Sequence, residues 1–311
     1  MTLPYTLQQL RIIKALSSER NFTKAAERLY ISQPCLSQQL KSLEKRLGIL
    51  LVTRNNNRLD LTEAGKIFLT YSERILALCE ESCRALNDLK NGDRGDLKIG
   101  ATSTVGTYLI PSILALFIQT YPQIKLKVQI SPTRIMIKNI LSRTIDIAII
   151  DGNIPPGLKK NLDIVQFAED EFSLIIPKSH PFVSQGTKTI NKNDLYNLNF
   201  ITLNSDSTVQ DHINQTLRKN EIDTTKLNIV LYLNSMEAIK ASVILGLGVA
   251  FVPSSIIEKE LALKNLEVIT IRSLKIKTTL AIISNSNYEK SRAFEFFYDE
   301  LLLLKNEPFF E

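Results

Sequence analysis

Gln33, Ser37, Gln38 and Lys41 follow one another at steps of four, one and three in the stretch ISQPCLSQQLKSLEKRL. On a helix that spacing places all four on one edge. Their chemistry suits the edges of bases in duplex DNA: glutamine bonds adenine through two contacts, serine donates or accepts one, and lysine reaches guanine or phosphate. Ser32 is a good cap for such a helix and Pro34 fits its first turn, while Leu36, Leu40 and Leu43 take the opposite face and are expected in a core. Upstream, Thr23 reads as the cap of a preceding short helix, and with Lys24 it joins the candidate DNA-facing set. Downstream, Arg54 and Arg58 flank Asn55-Asn56-Asn57 between LVTR and RLDL, a pattern for a two-stranded wing whose arginines meet phosphates or the minor groove. A different chemistry is offered by Thr102-Ser103-Thr104 at a strand-to-helix transition, where hydroxyls and free backbone N–H groups can hold a phosphate or carboxylate. The same residues could equally serve as helix caps.

Catalytic patterns are missing. There is no G-x-S-x-G, no paired-carboxylate arrangement and no H-x-x-x-H, so the expectation is a protein that is not an enzyme. His180 precedes Pro181 and reads as a loop residue; His212 reads as a helix-surface residue. Gly246-Leu247-Gly248 suits a turn between helix and strand and lacks the remaining glycine of a dinucleotide fingerprint. Cys35, Cys79 and Cys83 are an odd number in a long chain, which points to a reducing compartment and plain thiols, with too few ligands for a metal site.

The 311 residues are 44% hydrophobic and 23% charged, an ordinary globular balance. No stretch approaches the roughly 20 apolar residues of a membrane crossing. The opening MTLPYTLQQLRII has neither a secretory nor a transit character, so the protein is expected to work where it is made. Charge is unevenly placed: residues 1–60 hold ten Lys/Arg against four acids, which equals the whole formal excess of +6. A basic head on a neutral body suggests a polyanion partner, with a merely solvated surface as the alternative.

Leu7, Leu10, Ile13 and Leu16 mark a first helix, Thr23 to Leu29 a second, and Ser32 to about Leu47 a third that exits at Gly48. Three short helices with a tight break between the last two match a helix-turn-helix. Thr62 then caps a helix to about Leu89 in which Ala64, Phe68, Tyr71, Ile75, Leu78, Ser82, Ala85 and Leu89 alternate at steps of four and three, the spacing of a coiled-coil seam. A single buried helix is the other reading. Asn91 to Gly95 forms a linker. Strands at Leu97–Ala101, Ile124–Ile130 and Ile145–Ile150 alternate with helices at Val105–Tyr121 and Ile135–Leu141, implying a parallel sheet. A second set follows: strand Phe172–Pro177, helices near 207–219 and 235–246, and strand Val249–Val252. Strand Thr278–Ser284 and a helix from about Tyr288 to Leu304 close the chain.

NFTKAAERLYISQPCLSQQLKSLEKRLGILLVTR followed by LDLTEAG resembles the signature of the LysR family, whose members show an A-A-x-x-L, S-Q-P-x-L-S and L-F-x-R progression ending in L-T-x-A-G. Cys35 stands where alanine is usual, Val52 where phenylalanine is common and Gln38 where arginine is frequent; the last departure bears on base preference. The resemblance implies a multi-domain chain: a winged helix-turn-helix over 1–61, a dimerising linker helix over 62–91, and over 92–311 a two-lobed α/β effector domain of periplasmic-binding-protein type. Its lobes would be about 96–166 with 270–311, and about 167–269. It also implies that Thr102, Ser103, Thr104, Thr133 and Thr202 meet the effector from the two sides of a cleft. Within the family, GTYLIPSILALF, STVQDHI and LNSMEAIKASVILGLGVAFV resemble the branch that governs carbon-fixation operons in plastids and photosynthetic bacteria. The excess of Ile, Asn and Lys fits an AT-rich plastid gene, with a bacterial cytoplasm as the alternative.

The expected protein is thus a LysR-type regulator without a cofactor, binding double-stranded promoter DNA as a homodimer or dimer of dimers. Its effector would be a small metabolite, with sugar phosphates and NADPH as the classes to test. A solute-binding protein would leave the basic head without a use, and an architectural DNA binder would leave the neutral body idle. Lys41→Ala and Arg54→Ala should each weaken DNA binding and lower the slope of log affinity against log salt by about one. Gel-shift titrations across a salt series check this, and an unchanged slope would remove both residues from the interface.

Overall fold

The structure is a computed structural model that describes residues 3–55, 58–91, 95–287 and 290–305. Two compact units are present, one built on Met1–Asn91 and one on Gly92–Leu141 with Ile145–Glu311.

In the first unit α1 (Leu7–Glu19), α2 (Phe22–Arg28) and α3 (Gln33–Leu47) precede a hairpin of β1 (Val52–Asn55) and β2 (Arg58–Leu61), and α4 (Glu63–Asn91) follows. Ser32 Oγ accepts from the Cys35 N–H, Pro34 sits in the first turn of α3, and Gly48 closes that helix at φ +68°. The cap of α2 differs from expectation: Asn21, not Thr23, accepts the Lys24 N–H, because the helix already begins at Phe22. Leu36, Leu40 and Leu43 pack with Ile12, Ile13, Leu16, Ala25 and Ala26 into one core.

Polar groups fix what apolar packing leaves free. The buried Gln9 side chain donates to the Gln39 carbonyl at 3.3 Å and so ties α1 to the middle of α3. Glu44 Oε1 accepts from the N–H groups of Leu51 and Val52 at 2.8 and 3.2 Å, which anchors the start of the wing to α3. Thr62 Oγ1 donates to the Leu50 carbonyl and accepts from the Gly65 N–H, capping α4 where it passes the wing. There Gly65 is required by space, since a Cβ would overlap the Leu51 carbonyl oxygen.

Along α4 the expected seam divides. Ala64 and Phe68 are spent on the head's own core, whereas Tyr71, Leu78 and Ser82 are exposed and Ile75 is half-buried. The side chains of Ala85 and Leu89 lie outside the described residues.

The second unit begins with β3 (Gly95–Ala101), α5 (Ser103–Tyr108), α6 (Ile110–Thr120), β4 (Ile124–Ile130), α7 (Thr133–Leu141) and β5 (Ile147–Ile150). The single helix expected from Val105 to Tyr121 is broken at Leu109, because Pro111 has no N–H to give the preceding turn and its ring would strike that turn's carbonyl. β6 (Leu162–Pro177), α8 (Pro181–Ser184), β7 (Thr189–Ile190), β8 (Asn199–Leu203), α9 (Thr208–Lys219), β9 (Asn228–Leu233) and α10 (Met236–Ile244) come next. The chain ends through β10 (Ala250–Pro253), α11 (Glu258–Ala262), β11 (Leu266–Ile271), β12 (Ile276–Asn285) and α12 (Arg292–Leu304).

β3 lies between β4 and β5 in parallel register, and β12 joins β5 to β6 through antiparallel pairs. β6 is far longer than the Phe172–Pro177 strand expected: ten of its first eleven residues pair with β12, Phe167 being passed over at a bulge, and its end pairs with β10 and β11. One sheet therefore runs through both lobes, while β8 and β9 form a small parallel sheet of their own. β7, β9 and β11 were not anticipated; β9 reads Asn-Ile-Val-Leu-Tyr-Leu with every second residue exposed, and no Gly or Pro marks it out.

Gly65→Ala should destabilise the first unit by about 1–3 kcal/mol, the range of an overpacked contact. Thermal denaturation of the full chain checks this, and an unchanged first transition would mean that α4 can back away from Leu51.

Candidate nucleic-acid interface and effector cleft

On α3 the buried leucines leave the opposite edge free. Gln38 and Lys41 are exposed and Gln33 and Ser37 half-buried. From Gln33 to Lys41 the helix rises about 12 Å, close to the width of the DNA major groove. Pro34 and Ser32 are exposed at the start of the edge, but the Ser32 oxygen already serves as the helix cap. Thr23 and Lys24 are exposed in the first turn of α2. Arg54 and Arg58 stand on β1 and β2, with Arg54 opposite Leu59 and Arg58 opposite Asn55; their side chains lie outside the described residues. Arg28, a further cation of the head, is paired with Glu19 at 2.7 Å.

The second unit holds a cleft of about 440 Å³. It opens at the carboxyl ends of β3, β4 and β8 and meets the N-terminal ends of α7, α9 and α10. Ser103 lines it exposed and Thr104 half-buried with its hydroxyl on the Asp151 carboxyl, whereas Thr102 and Thr133 are buried and engaged. Thr102 Oγ1 accepts the Asp151 N–H at 3.2 Å. Thr208 donates to Thr133 at 2.8 Å, and Thr133 donates to the Asp151 carbonyl at 3.4 Å. These hydroxyls join α9 to α7 and β5 and form the wall more than they offer free groups.

Thr202 does not line the cleft. Its neighbour Leu203 does, and successive strand residues point to opposite faces. The wall on that side is built by Asn204, Asp206, Ser207 and Thr208, with Asn234 from the turn before α10. Ser207 and Thr208 follow strand FITL and open a helix, the same signal that marks Thr102 to Thr104. Arg134, one residue after Thr133, is the cation among the described lining residues; no motif in the sequence pointed to it.

Two buried ionisable groups belong to this region: Asp151 in the cleft lining and Lys240 outside it. Burial pushes the Asp151 carboxyl above its ordinary range, and hydrogen bonds from the Thr102 and Thr104 hydroxyls offset part of that rise. Lys240, fully enclosed on α10, donates to the Tyr108 hydroxyl at 2.6 Å, the Ile256 carbonyl at 2.7 Å and Glu260 at 2.8 Å. It thereby ties α5 to α10, both of which bring residues to the cleft lining.

Both histidines are held by hydrogen bonds. His180 Nδ1 accepts the Phe182 N–H and caps α8, and burial holds its ring below the ordinary range. His212 lies on α9, the helix expected for it, and bridges Asn153 at 2.9 Å and the Lys277 carbonyl at 2.6 Å. Among the described residues no three His, Cys, Asp or Glu converge as metal ligands.

Comparison with known proteins adds the following. A family model described as "Bacterial regulatory helix-turn-helix protein, lysR family" matches residues 7–66, and one described as "LysR substrate binding domain" matches residues 90–303. A Phaeodactylum tricornutum protein named "Probable RuBisCO transcriptional regulator" is 63% identical over 305 residues, covering 98% of this chain and 99% of its own. Full-length CbnR in complex with its target DNA superposes with a TM-score of 0.68 at 22% identity, covering 96% of this chain and 99% of that one. The regulatory domain of Synechocystis PCC6803 CcmR in complex with 2-PG gives 0.61 at 22% identity, covering 68% and 98%.

Because its folded-state pKa is raised above 3.8, Asp151 contributes stability that is present at low pH and lost as pH rises through the raised value. Asp151→Asn removes that titration and keeps an acceptor for the threonine hydroxyls. Its melting temperature relative to the parent chain should therefore climb as pH is raised from 3.8. A difference independent of pH would show that the carboxylate is solvated.

Proposed function

Because the chain belongs to the LysR family of transcription regulators, we propose that it controls expression of the RuBisCO operon in response to an anionic metabolite held in the cleft. It is a DNA-binding regulator and not an enzyme. The observation that carries DNA recognition is the polar edge of α3: Gln33, Ser37, Gln38 and Lys41 face outward over about one groove width, within the first sixty residues, whose net charge equals the whole positive excess of the chain. Gln33, Gln38 and Lys41 would read bases, Ser37 would assist, and Thr23, Lys24, Ser32, Pro34, Arg54 and Arg58 would set the register on the backbone. Whole-length identity to a RuBisCO regulator supports the choice of operon.

A homodimer, or a dimer of dimers, is supported by α4. Ile67, Tyr71, Leu78 and Leu86 are 61, 57, 51 and 61% exposed. They lie at steps of four, seven and eight, one face of a long helix. The equivalent helix of a second copy covers such a stripe at least cost.

The effector reading rests on the convergence of three helix N-termini and Arg134, a combination that favours an anion. Asp206, Asn204 and Asn234 add acceptors and donors for hydroxyls, and the modest volume favours a sugar phosphate over NADPH. Ser103 and Thr104 would contact the anion, while Thr102 and Thr133 hold the wall that shapes its seat. The plastid stroma is the proposed place of action, from the Ile, Asn and Lys excess and the algal relative; a bacterial cytoplasm is the alternative.

Genome-wide footprinting with the purified chain should recover the RuBisCO promoter, and a footprint confined to other operons would overturn the assignment. In calorimetric titrations with sugar phosphates, 2-PG and nicotinamide nucleotides, Arg134→Ala should weaken the ligand that binds by about tenfold or more. Heat unchanged by the substitution would place the anion elsewhere.

A further inference from the structure

Tyr30 lies in the turn between α2 and α3 at φ +56° and is 97% exposed. Its N–H donates to the Glu27 carbonyl and the next N–H, of Ile31, donates to the Ala26 carbonyl. That pair of bonds is the closing motif of a helix whose penultimate position takes the left-handed conformation, where glycine costs least. The same unit also ends α3 on a left-handed residue followed by an N–H bonded five residues back, Ile49 to Glu44, and there it does use glycine, Gly48 at φ +68°. Ile31 turns inward to the head core, so the motif's apolar contact is supplied without Tyr30.

A tyrosine at this position is therefore unfavourable twice over. A side chain in the left-handed region costs about 1 kcal/mol relative to glycine, and the ring gains no packing in return. The other described non-glycine residues with positive φ are Arg20, Arg143, Asn161, Glu221, Lys264 and Ser273, all hydrophilic. Tyr30 alone among them presents an aromatic ring, and its exposure exceeds that of every other large hydrophobic side chain described, the next being Leu245 at 77%.

Its place gives the ring a use. Tyr30 precedes Gln33 by three residues, at most about 10 Å along the backbone. With Gln33 against a base edge, the phenol of Tyr30 stands at the rim of the same groove. We propose that Tyr30 is a DNA-positioning residue whose phenol donates its O–H to a backbone phosphate beside the first base read by α3. The assignment rests on the DNA-binding reading of α3 given above. It adds a neutral clamp to the cationic contacts, one that fixes where α3 enters the groove without adding to the salt dependence.

The test uses full-length Tyr30→Gly and Tyr30→Phe, a promoter fragment that the wild-type chain retards in gel shift, and bulk duplex as competitor. Tyr30→Gly should melt at or above the wild-type temperature yet bind the fragment about tenfold more weakly, the loss expected for a hydrogen bond to a charged group. Tyr30→Phe should show most of that loss. In both, the slope of log affinity against log salt should stay at the wild-type value, unlike that of Lys41→Ala. Wild-type affinity in Tyr30→Gly, or a lowered melting temperature, would overturn the proposal. Full binding by Tyr30→Phe would overturn the phosphate contact. Should the wild-type chain itself retard no duplex, the DNA reading fails, and this proposal with it.

Discussion

Burial of one leucine stripe organises the DNA-binding head. Leu36, Leu40 and Leu43 are at most 5% exposed against α1 and α2. Each is worth roughly 2 kcal/mol when removed from water. Turning α3 by a single residue would swing this stripe out and bring Lys41 or Gln39 toward the core, where an unpaired polar or charged group is costly. The outward edge is therefore held in place before any duplex arrives. Gln9 fixes the helix along its length by bonding Gln39, and Glu44 carries the same frame into the wing through two backbone N–H groups.

The second unit meets the opposite problem, because its cleft needs polar groups that are partly removed from water. They are tolerated where each has a partner. Thr208, Thr133 and the Asp151 carbonyl form a chain of hydroxyl bonds, and Lys240 spends its protons on Tyr108, Ile256 and Glu260. Asp151 is the least comfortable member, its carboxyl raised by burial although two threonines donate to it. Such a preformed wall loses little ordering entropy when a ligand arrives. The large sheet supports one side of it, since β3 and β4, whose ends open on the cleft, belong to the sheet that β6 and β12 carry from one lobe into the other.

Where the sequence could be read directly, the signal was local. Ser32, Pro34 and Gly48 mark the ends of α3 through cap chemistry acting within a few residues, and the leucine period names its buried face. The signature LDLTEAG contains Gly65, whose reason emerges only from the carbonyl of Leu51 lying where a Cβ would be. Thr23 was misassigned as a cap because two good capping residues, Asn21 and Thr23, stand two apart, and the choice depends on where the backbone first turns. β6 was read at less than half its length, since Asp163, Gln166, Glu169 and Asp170 conceal a strand that pairs on both edges.

What the sequence determined by itself is the order of elements in the head, the polar edge of α3, the concentration of positive charge in the first sixty residues and the alternation of strands and helices that begins the second unit. Those depend on period, capping and composition, which act between near neighbours. Tertiary structure alone decided which residues face the cleft: it set Arg134, Asp206 and Asn234 there, left Thr202 out, and committed Thr102 and Thr133 to the wall. The physical reason is distance along the chain. Residues 49 to 75 positions apart meet in these bonds, and no local pattern records which distant hydroxyl or carboxyl will satisfy a group once water is gone.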